Sequence, residues 1–260
     1  VLDETMNRVA EFMEKDQALR AKVKSAMSYP VIVFCITILI VVFLLVFVLP
    51  TFKQLFESLG SKLPPMTQFV VNISNAMRKF WYLFLGSLIG LVILFKWYTK
   101  TPRGMFQYHA LLLKLPVFGD LNKKVTVSRF SRTLGTLLTS GVPVMQALEV
   151  TGKASGNKVV EKAVENVRIS IREGESISIP MEQSGIFPPM VTQMIAVGEE
   201  TGSLDSMLKK ISDFFDMEVE ATLDSLTSLL EPLLMVFMGV MVGFIAVAMY
   251  LPIFTIINEI

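Results

Sequence analysis

Among 260 residues the chain holds one histidine, His109, and one cysteine, Cys35. A zinc site needs imidazole, thiolate or carboxylate ligands at short spacing, and neither a second histidine nor a Cys-x-x-Cys pair exists to complete one. The nearest approach to a phosphate-binding loop is Gly152-Lys153-Ala154, but Ala147 stands where the first glycine belongs and Ala154 replaces the magnesium-binding hydroxyl. No G-x-G-x-x-G fingerprint occurs, and no serine or cysteine nucleophile is paired with a plausible base. The sequence therefore predicts no enzymatic activity, no cofactor and no metal site. His109 is expected at the membrane interface beside the second apolar run, and Cys35 as a small lipid- or helix-facing residue without a disulfide partner.

Charged residues are sorted by position. Glu199, Glu200, Asp205, Asp213, Asp216, Glu218, Glu220, Asp224 and Glu231 crowd one stretch, while Lys100, Arg103, Lys114, Lys123, Lys124, Arg129 and Arg132 precede it with Asp120 as the one acid among them. A solvated helix face fits the acidic stretch; so does a docking edge or divalent-cation site, for which Glu218, Glu220 and Asp224 are the candidate partner face. The long apolar runs contain no Asp, Glu, Lys, Arg or His, which removes the usual mark of a proton relay or ion pathway. They do contain Gly86-x-x-x-Gly90 and Gly239-x-x-x-Gly243. Such spacing is either ordinary membrane-helix glycine or a small-residue face for helix packing within an assembly.

The elements that carry these residues must be largely lipid-facing. Hydrophobic residues make up 52% of the chain and mean hydropathy is +0.57, above the roughly 45–50% apolar share of a soluble domain. A net charge of +1, with no basic tract interleaved with aromatics, argues against nucleic acid. Val31 to Leu49 is uncharged between Pro30 and Pro50, long enough to cross the hydrocarbon at 1.5 Å per residue. Phe80 to Phe95 is flanked by Trp81, Tyr82, Trp97 and Tyr98 as interfacial aromatics. Pro232 to Asn258 carries no charge. The expected division is 1–30 soluble helix, 31–50 first span, 51–79 external loop, 80–98 second span, 99–230 aqueous domain and 231–257 third span. Basic residues after the second span favour a cytoplasmic aqueous domain and N-terminus, with the C-terminus outside.

In the 51–79 loop, Phe52, Leu55, Phe56 and Leu59, then Phe69, Val70 and Ile73, predict two short amphipathic helices resting on the outer interface. In the aqueous domain, helix-compatible runs at 123–139, 143–154, 157–173, 176–184, 188–200 and 203–230 are separated by Gly141 to Pro143, Gly156, Gly174, Gly185 to Pro189, and Gly202. Strand patterns are nearly absent, so the fold class is an all-α membrane protein with three transmembrane helices and a six-helix bundle. The chain also carries a weak internal repeat. Leu2-Asp3 leads through Met6, Val9, Phe12 and Met13 to Pro30, and Leu204-Asp205 leads through Leu208, Ile211, Phe214 and Phe215 to Pro232, with both endpoints 202 residues apart. Residues 1–30 are then expected to be the last helix of a first domain whose earlier helices lie outside this sequence, with its apolar stripe exposed.

Four blocks, Lys24 to Pro30 (KSAMSYP), Phe130 to Pro143 (FSRTLGTLLTSGVP), Gly198 to Leu204 (GEETGSL) and Ala248 to Phe254 (AMYLPIF), occur in this order. Together they resemble the type II secretion F-domain family, the inner-membrane platform proteins of type IV pilus and type II secretion machines. The resemblance covers the whole chain, and its AMYLPIF ending is closer to the pilus branch (PilC-like) than to the secretion branch (GspF-like). It implies two homologous cytoplasmic six-helix domains, of which this sequence lacks most of the first, and three spans in the bacterial inner membrane. It also implies a homo-oligomer that contacts a hexameric assembly ATPase, pilin or pseudopilin transmembrane helices and other inner-membrane assembly proteins. Pro30, Gly141, Pro143, Gly198, Glu199, Glu200, Gly202 and Pro232 match its signature positions, read as architectural first and partner-contacting second. Two other classes stay open from the residues alone: a secondary transporter, disfavoured by the charge-free spans and by a repeat that runs parallel, and a membrane-bound scaffold.

Overall fold

The computed structural model describes residues 2–58, 64–116 and 118–259, and among them it is helical with no strand. The helices are α1 (Leu2–Phe43), α2 (Leu49–Ser58), α3 (Pro65–Lys100), α4 (Pro102–Lys114), α5 (Phe118–Thr139), α6 (Val144–Ala154), α7 (Lys158–Arg172), α8 (Ser178–Gln183), α9 (Pro189–Glu200) and α10 (Leu204–Glu259), with a π-helical turn at Leu44–Val48. Three stretches, Met13–Leu55, Pro65–Lys100 and Leu204–Pro252, are long and apolar enough to cross a membrane. The residues fall into two compact units, Val1–Ser25 with Trp97–Leu226, and Ala26–Lys96 with Thr227–Ile260.

The first unit is a helical bundle whose breaks coincide with the glycines that separate the predicted runs. At the end of α5 the chain reverses through a Schellman turn, in which Val142 N donates to Leu137 O (3.0 Å) and Gly141 N to Leu138 O (2.9 Å). That turn requires a left-handed residue, and Gly141 supplies it at φ +80°. Pro143 then leads directly into α6, and Pro189 opens α9, where a missing N–H costs no helical bond. The core between these helices is built from Val127, Phe130, Leu134, Leu148, Val160, Val164, Met181, Val191, Ile195, Leu208 and Ile211, with the Phe130 and Phe187 rings tilted 5.0 Å apart.

The second unit has its own core. Val41, Leu45 and Leu49 of the first span, Val70 and Val71 of α3, and Ile245 and Ala248 of α10 pack together. Here the structure differs from the expected pair of interfacial helices. Residues from Pro65 onward form a helix whose Thr67, Val70, Val71 and Ser74, one face at i, i+3, i+4 and i+7 spacing, are buried in the core. That face packs against two spans, while the side that carries Phe69 and Ile73 is exposed. The first half of the predicted pair, α2, is present, and Leu59 lies outside the described residues. Within α3, Phe80 departs from helical geometry (φ −115°, ψ 20°), so the buried helix and the second span are two helices meeting at the residue expected to begin that span. From Lys79 to Trp97 every residue is exposed. Among the described residues the second span is thus solvent- or lipid-accessible along its whole length.

Candidate functional site

Helices α5 and α10 run antiparallel through the bundle, and the Phe130–Pro143 block lies along their contact. Gly135 permits the approach: a Cβ there would lie 3.2 Å from Leu208 Cβ. One and two turns earlier on α5, Arg132 and Ser128 reach Asp216, the guanidinium through Nη2 and the hydroxyl at 2.5 Å. Arg132 is only 6% exposed, and its Nε and Nη1 have no partner among the described residues. At the far end Lys124 pairs with Glu218 (2.9 Å) and Asp120 (3.0 Å) and donates to Thr222 (2.9 Å). Burial opposes charging Lys124, but the hydrogen-bonded carboxylates of Glu218 and Asp120 hold its pKa above the ordinary lysine value.

The start of α1 joins the same contact. Lys15 pairs with Asp213 (3.4 Å) and Lys22 with Glu220 (2.8 Å), both 198 residues apart, while Asp16 receives Arg129 Nε at 3.2 Å. Equal separations at a seven-residue step mean that the two helices run parallel here. Leu19 is buried beside them. Of the stripe expected to be exposed, Met13 is exposed, and the side chains of Met6, Val9 and Phe12 lie outside the described residues. The candidate partner face is therefore occupied by internal ion pairs: Glu218 by Lys124, Glu220 by Lys22, with Asp224 also engaged. These pairs are half-solvated, Glu220 being 55% exposed, so each contributes at most about 1 kcal/mol and can exchange for another cation. Among the described residues no three acids, histidines or cysteines converge as metal ligands.

The Gly198–Leu204 block is a second built turn. A Cβ on Gly198 would sit 3.0 Å from Leu204 Cα, so glycine lets the end of α9 meet the start of α10 without displacing it. Glu199 spans the gap to the loop before α8, its two carboxylate oxygens accepting from Ile177 N at 3.0 and 2.9 Å. Gly202, at φ +67°, closes α9 with Ser203 N donating to Gly198 O at 2.9 Å. Glu200 is exposed on the last turn of α9. Glu199 and the two glycines hold this turn, and Glu200 is the exposed acid of the block.

Gly152 lies inside α6, where a Cβ would lie 3.3 Å from Val164 Cγ1. Its small size serves the contact of α6 with α7. Lys153 pairs with Glu149 at 2.9 Å, and Arg168 with Glu149 (2.8 Å) and Glu165. Those cations lower the pKa of Glu149, Lys153 foremost. His109 faces the bundle: its Nδ1 accepts from Lys158 N (3.0 Å), tying α4 to the first residue of α7. Burial, and then the Lys158 charge, lower its pKa below the ordinary histidine value.

In the membrane unit, hydroxyls meet carbonyls that prolines leave without a donor. Pro252 has no N–H for Ala248 O, and Thr67 Oγ1 donates to that oxygen at 2.6 Å. In the π-helical turn Leu49 N–H bonds Leu44 O, so the next donor in register, for Leu45 O, would come from Pro50; the Ser74 hydroxyl takes its place. These groups are buried, so a neighbouring helix rather than water supplies the missing donor. Sequence reading missed both residues, although two hydroxyls seven residues apart on one helical face, opposite prolines in two spans, are the pattern to look for. Pro30 is buried and Pro232 exposed, each inside an unbroken helix. A Cβ added at Gly86, Gly90, Gly239 or Gly243 would meet nothing within 4 Å, so neither glycine pair is used for packing among the described residues of this chain.

A helical bundle joined to three apolar spans makes this a multi-span all-α membrane protein. It belongs to the type II secretion system (T2SS) protein F family, whose model matches residues 1–50 and 130–252. The chain is 46% identical over its full length to a type IV pilus assembly protein PilC of Myxococcus xanthus, covering 62% of that protein. It is 45% identical over 99% of its length to the PilC of Thermus thermophilus, covering 64% of it. Identity to a type II secretion system protein F of Aeromonas hydrophila is 32% over 99% of the chain and 66% of the relative. The chain thus spans somewhat under two thirds of the first two relatives.

Proposed function

We propose that this chain is the inner-membrane platform of a type IV pilus assembly machine, coupling a cytoplasmic assembly ATPase to insertion or extraction of pilin helices. The observation that carries this reading is full-length identity of 46% to a protein named for pilus assembly, against 32% to one named for secretion. Its role is non-enzymatic. The bundle, residues 99–230, faces the cytoplasm, 51–79 lies outside, and residues 1–30 are the last helix of a first domain. Motion of the ATPase reaches the membrane along α10, which is continuous from Leu204 through Pro232 to Glu259. Contact is made by the solvated acids Glu200, Glu218, Glu220 and Asp224, whose charge steers docking more than it tightens it. Gly86, Gly90, Gly239 and Gly243 serve contacts between membrane helices of the homo-oligomer or with pilin.

Capture of the assembly ATPase by the detergent-solubilised chain tests the coupling. Reversing Glu218, Glu220 and Asp224 to lysine is expected to abolish capture and pilus assembly at unchanged protein level. Because Glu220 pairs with Lys22, a K22E/E220K swap restores the internal pair while keeping lysine at 220. If adding K22E to E220K recovers full capture, the acid acts inside the bundle and the coupling surface lies elsewhere. For orientation, a K158C variant in intact cells is expected to resist an impermeant thiol reagent until lysis. Labelling before lysis would reverse the topology.

A further inference from the structure

From Ser58 to Gly119 the sequence contains no acidic residue. Span 2 ends in exposed Trp97 and Tyr98, and two residues later the chain turns into α4. That turn is a built elbow. Thr101 Oγ1 donates to Tyr98 O (2.7 Å) and accepts from Gly104 N (3.1 Å), and the Tyr98 hydroxyl donates to Gln107 Oε1. A Cβ on Gly104 would overlap the Tyr98 carbonyl oxygen, so the close approach depends on glycine. The elbow holds the start of α4 to Tyr98, one of two aromatics of the kind that prefer a headgroup layer.

α4 is amphipathic in a definite direction. Leu113 is buried, Lys162 Nζ lies 5.6 Å from the centre of the Phe106 ring, and His109 bonds α7, so that side faces the bundle. The opposite side, at i, i+4, i+8 and i+11, presents Arg103, Gln107, Leu111 and Lys114, all exposed, with Leu111 at 59%. Lys100 adds a third cation at the elbow. Lys100, Arg103 and Lys114 have no ion-pair partner among the described residues, unlike Lys22, Lys124, Arg129 and Arg132 of the same unit.

We propose that the outward face of α4 lies in the headgroup layer and binds anionic phospholipid, with Lys100, Arg103 and Lys114 on lipid phosphates and Leu111 between the headgroups. Charge complementarity favours this occupant: three exposed cations without an ion-pair partner among the described residues suit a surface of phosphates, and each basic residue near such a surface contributes about fivefold to association. Continuity with span 2 favours it too, since Arg103 follows Tyr98 by only five residues and cannot leave the interface far behind. The site is independent of the platform reading and of orientation, because either leaflet can supply the headgroup.

The full chain, carrying C35S and L111C with a bimane label at 111, is placed in phosphatidylcholine nanodiscs containing traces of doxyl-labelled phosphatidylglycerol or doxyl-labelled phosphatidylcholine. Doxyl-phosphatidylglycerol is expected to quench with an association constant about tenfold or more above that of doxyl-phosphatidylcholine, and the excess should shrink as salt rises. In K100Q/R103Q/K114Q, which leaves the inward face of α4 intact, the ratio should fall to near one. The salt dependence of the unmutated face tests the idea even if that variant folds poorly. Equal quenching by the two lipids overturns the proposal, and so does quenching by aqueous iodide with none by either lipid, as a protein-covered or solvated face would give.

Discussion

Replacing Thr67 with valine keeps the shape of the side chain and removes one hydroxyl. The hydroxyl bonds Ala248 O at 2.6 Å, and both groups are buried. Leaving a buried carbonyl without its donor costs about 1–3 kcal/mol. Hydrogen bonds between membrane helices measure lower, about 0.6 kcal/mol on average and up to about 1.7. Since Pro252 withholds the carbonyl's helical donor, the upper part of the membrane range applies, and T67V should destabilise the chain by about 1.5 kcal/mol. P252A returns an N–H to position 252 and with it the missing bond to Ala248 O. In that background T67V should cost only about 0.5 kcal/mol, because the carbonyl retains a partner. The difference, about 1 kcal/mol, is the coupling of a double-mutant cycle, which cancels the cavity and backbone effects of losing the proline ring. Detergent-driven unfolding of the full chain in mixed micelles, followed by circular dichroism, reads each corner. Equal T67V costs with and without Pro252 would show that the hydroxyl is not standing in for the missing donor, and the account of how α3 clasps the spans would fail.

The Arg132–Asp216 pair should break asymmetrically. D216A strands a guanidinium that is 6% exposed and should cost about 3 kcal/mol, whereas R132M leaves a carboxylate 30% exposed and should cost about 1 kcal/mol or less, with the reverse order in thermal unfolding counting against the buried-charge argument. His109 must be neutral to accept at Nδ1, and its folded pKa is lowered. Its contribution is therefore complete above the ordinary value of 6.5 and is lost as pH falls through the folded value; a melting-temperature profile from about pH 8 to about pH 5 should flatten in H109N, whose amide oxygen accepts at any pH. G198A, with a Cβ 3.0 Å from Leu204 Cα, should destabilise the bundle by about 1–3 kcal/mol. G239L/G243L meets open space in the chain and should insert normally while weakening self-association, so unchanged oligomer size by light scattering would make these background glycines.

Much of the fold is local and can be read along the chain. Apolar runs long enough for a bilayer, bounded by prolines and aromatics, specify spans because each turn of helix satisfies its own backbone. Gly141, Gly156, Gly174, Gly185 and Gly202 mark the bundle's turns because a positive φ suits glycine best, and all five adopt one. Signature positions such as Gly198 and Glu199 were legible as architectural but not in their contacts, which are with Leu204 and with Ile177, 22 residues away. The acidic face of α10 read as a solvated face, a docking edge or a cation site because its own cations are remote in sequence. Lys22 reaches Glu220 across 198 residues, and Lys124 lies on another helix. The same distance hid Thr67, whose acceptor is 181 residues away, and Ser74, whose acceptor is 29 away. Periodicity records which face of a helix is apolar, a property each helix carries by itself. Which polar group on that face completes another helix's broken hydrogen bond, and which charge meets which, is fixed when separate helices come together, and no single stretch of chain contains that information.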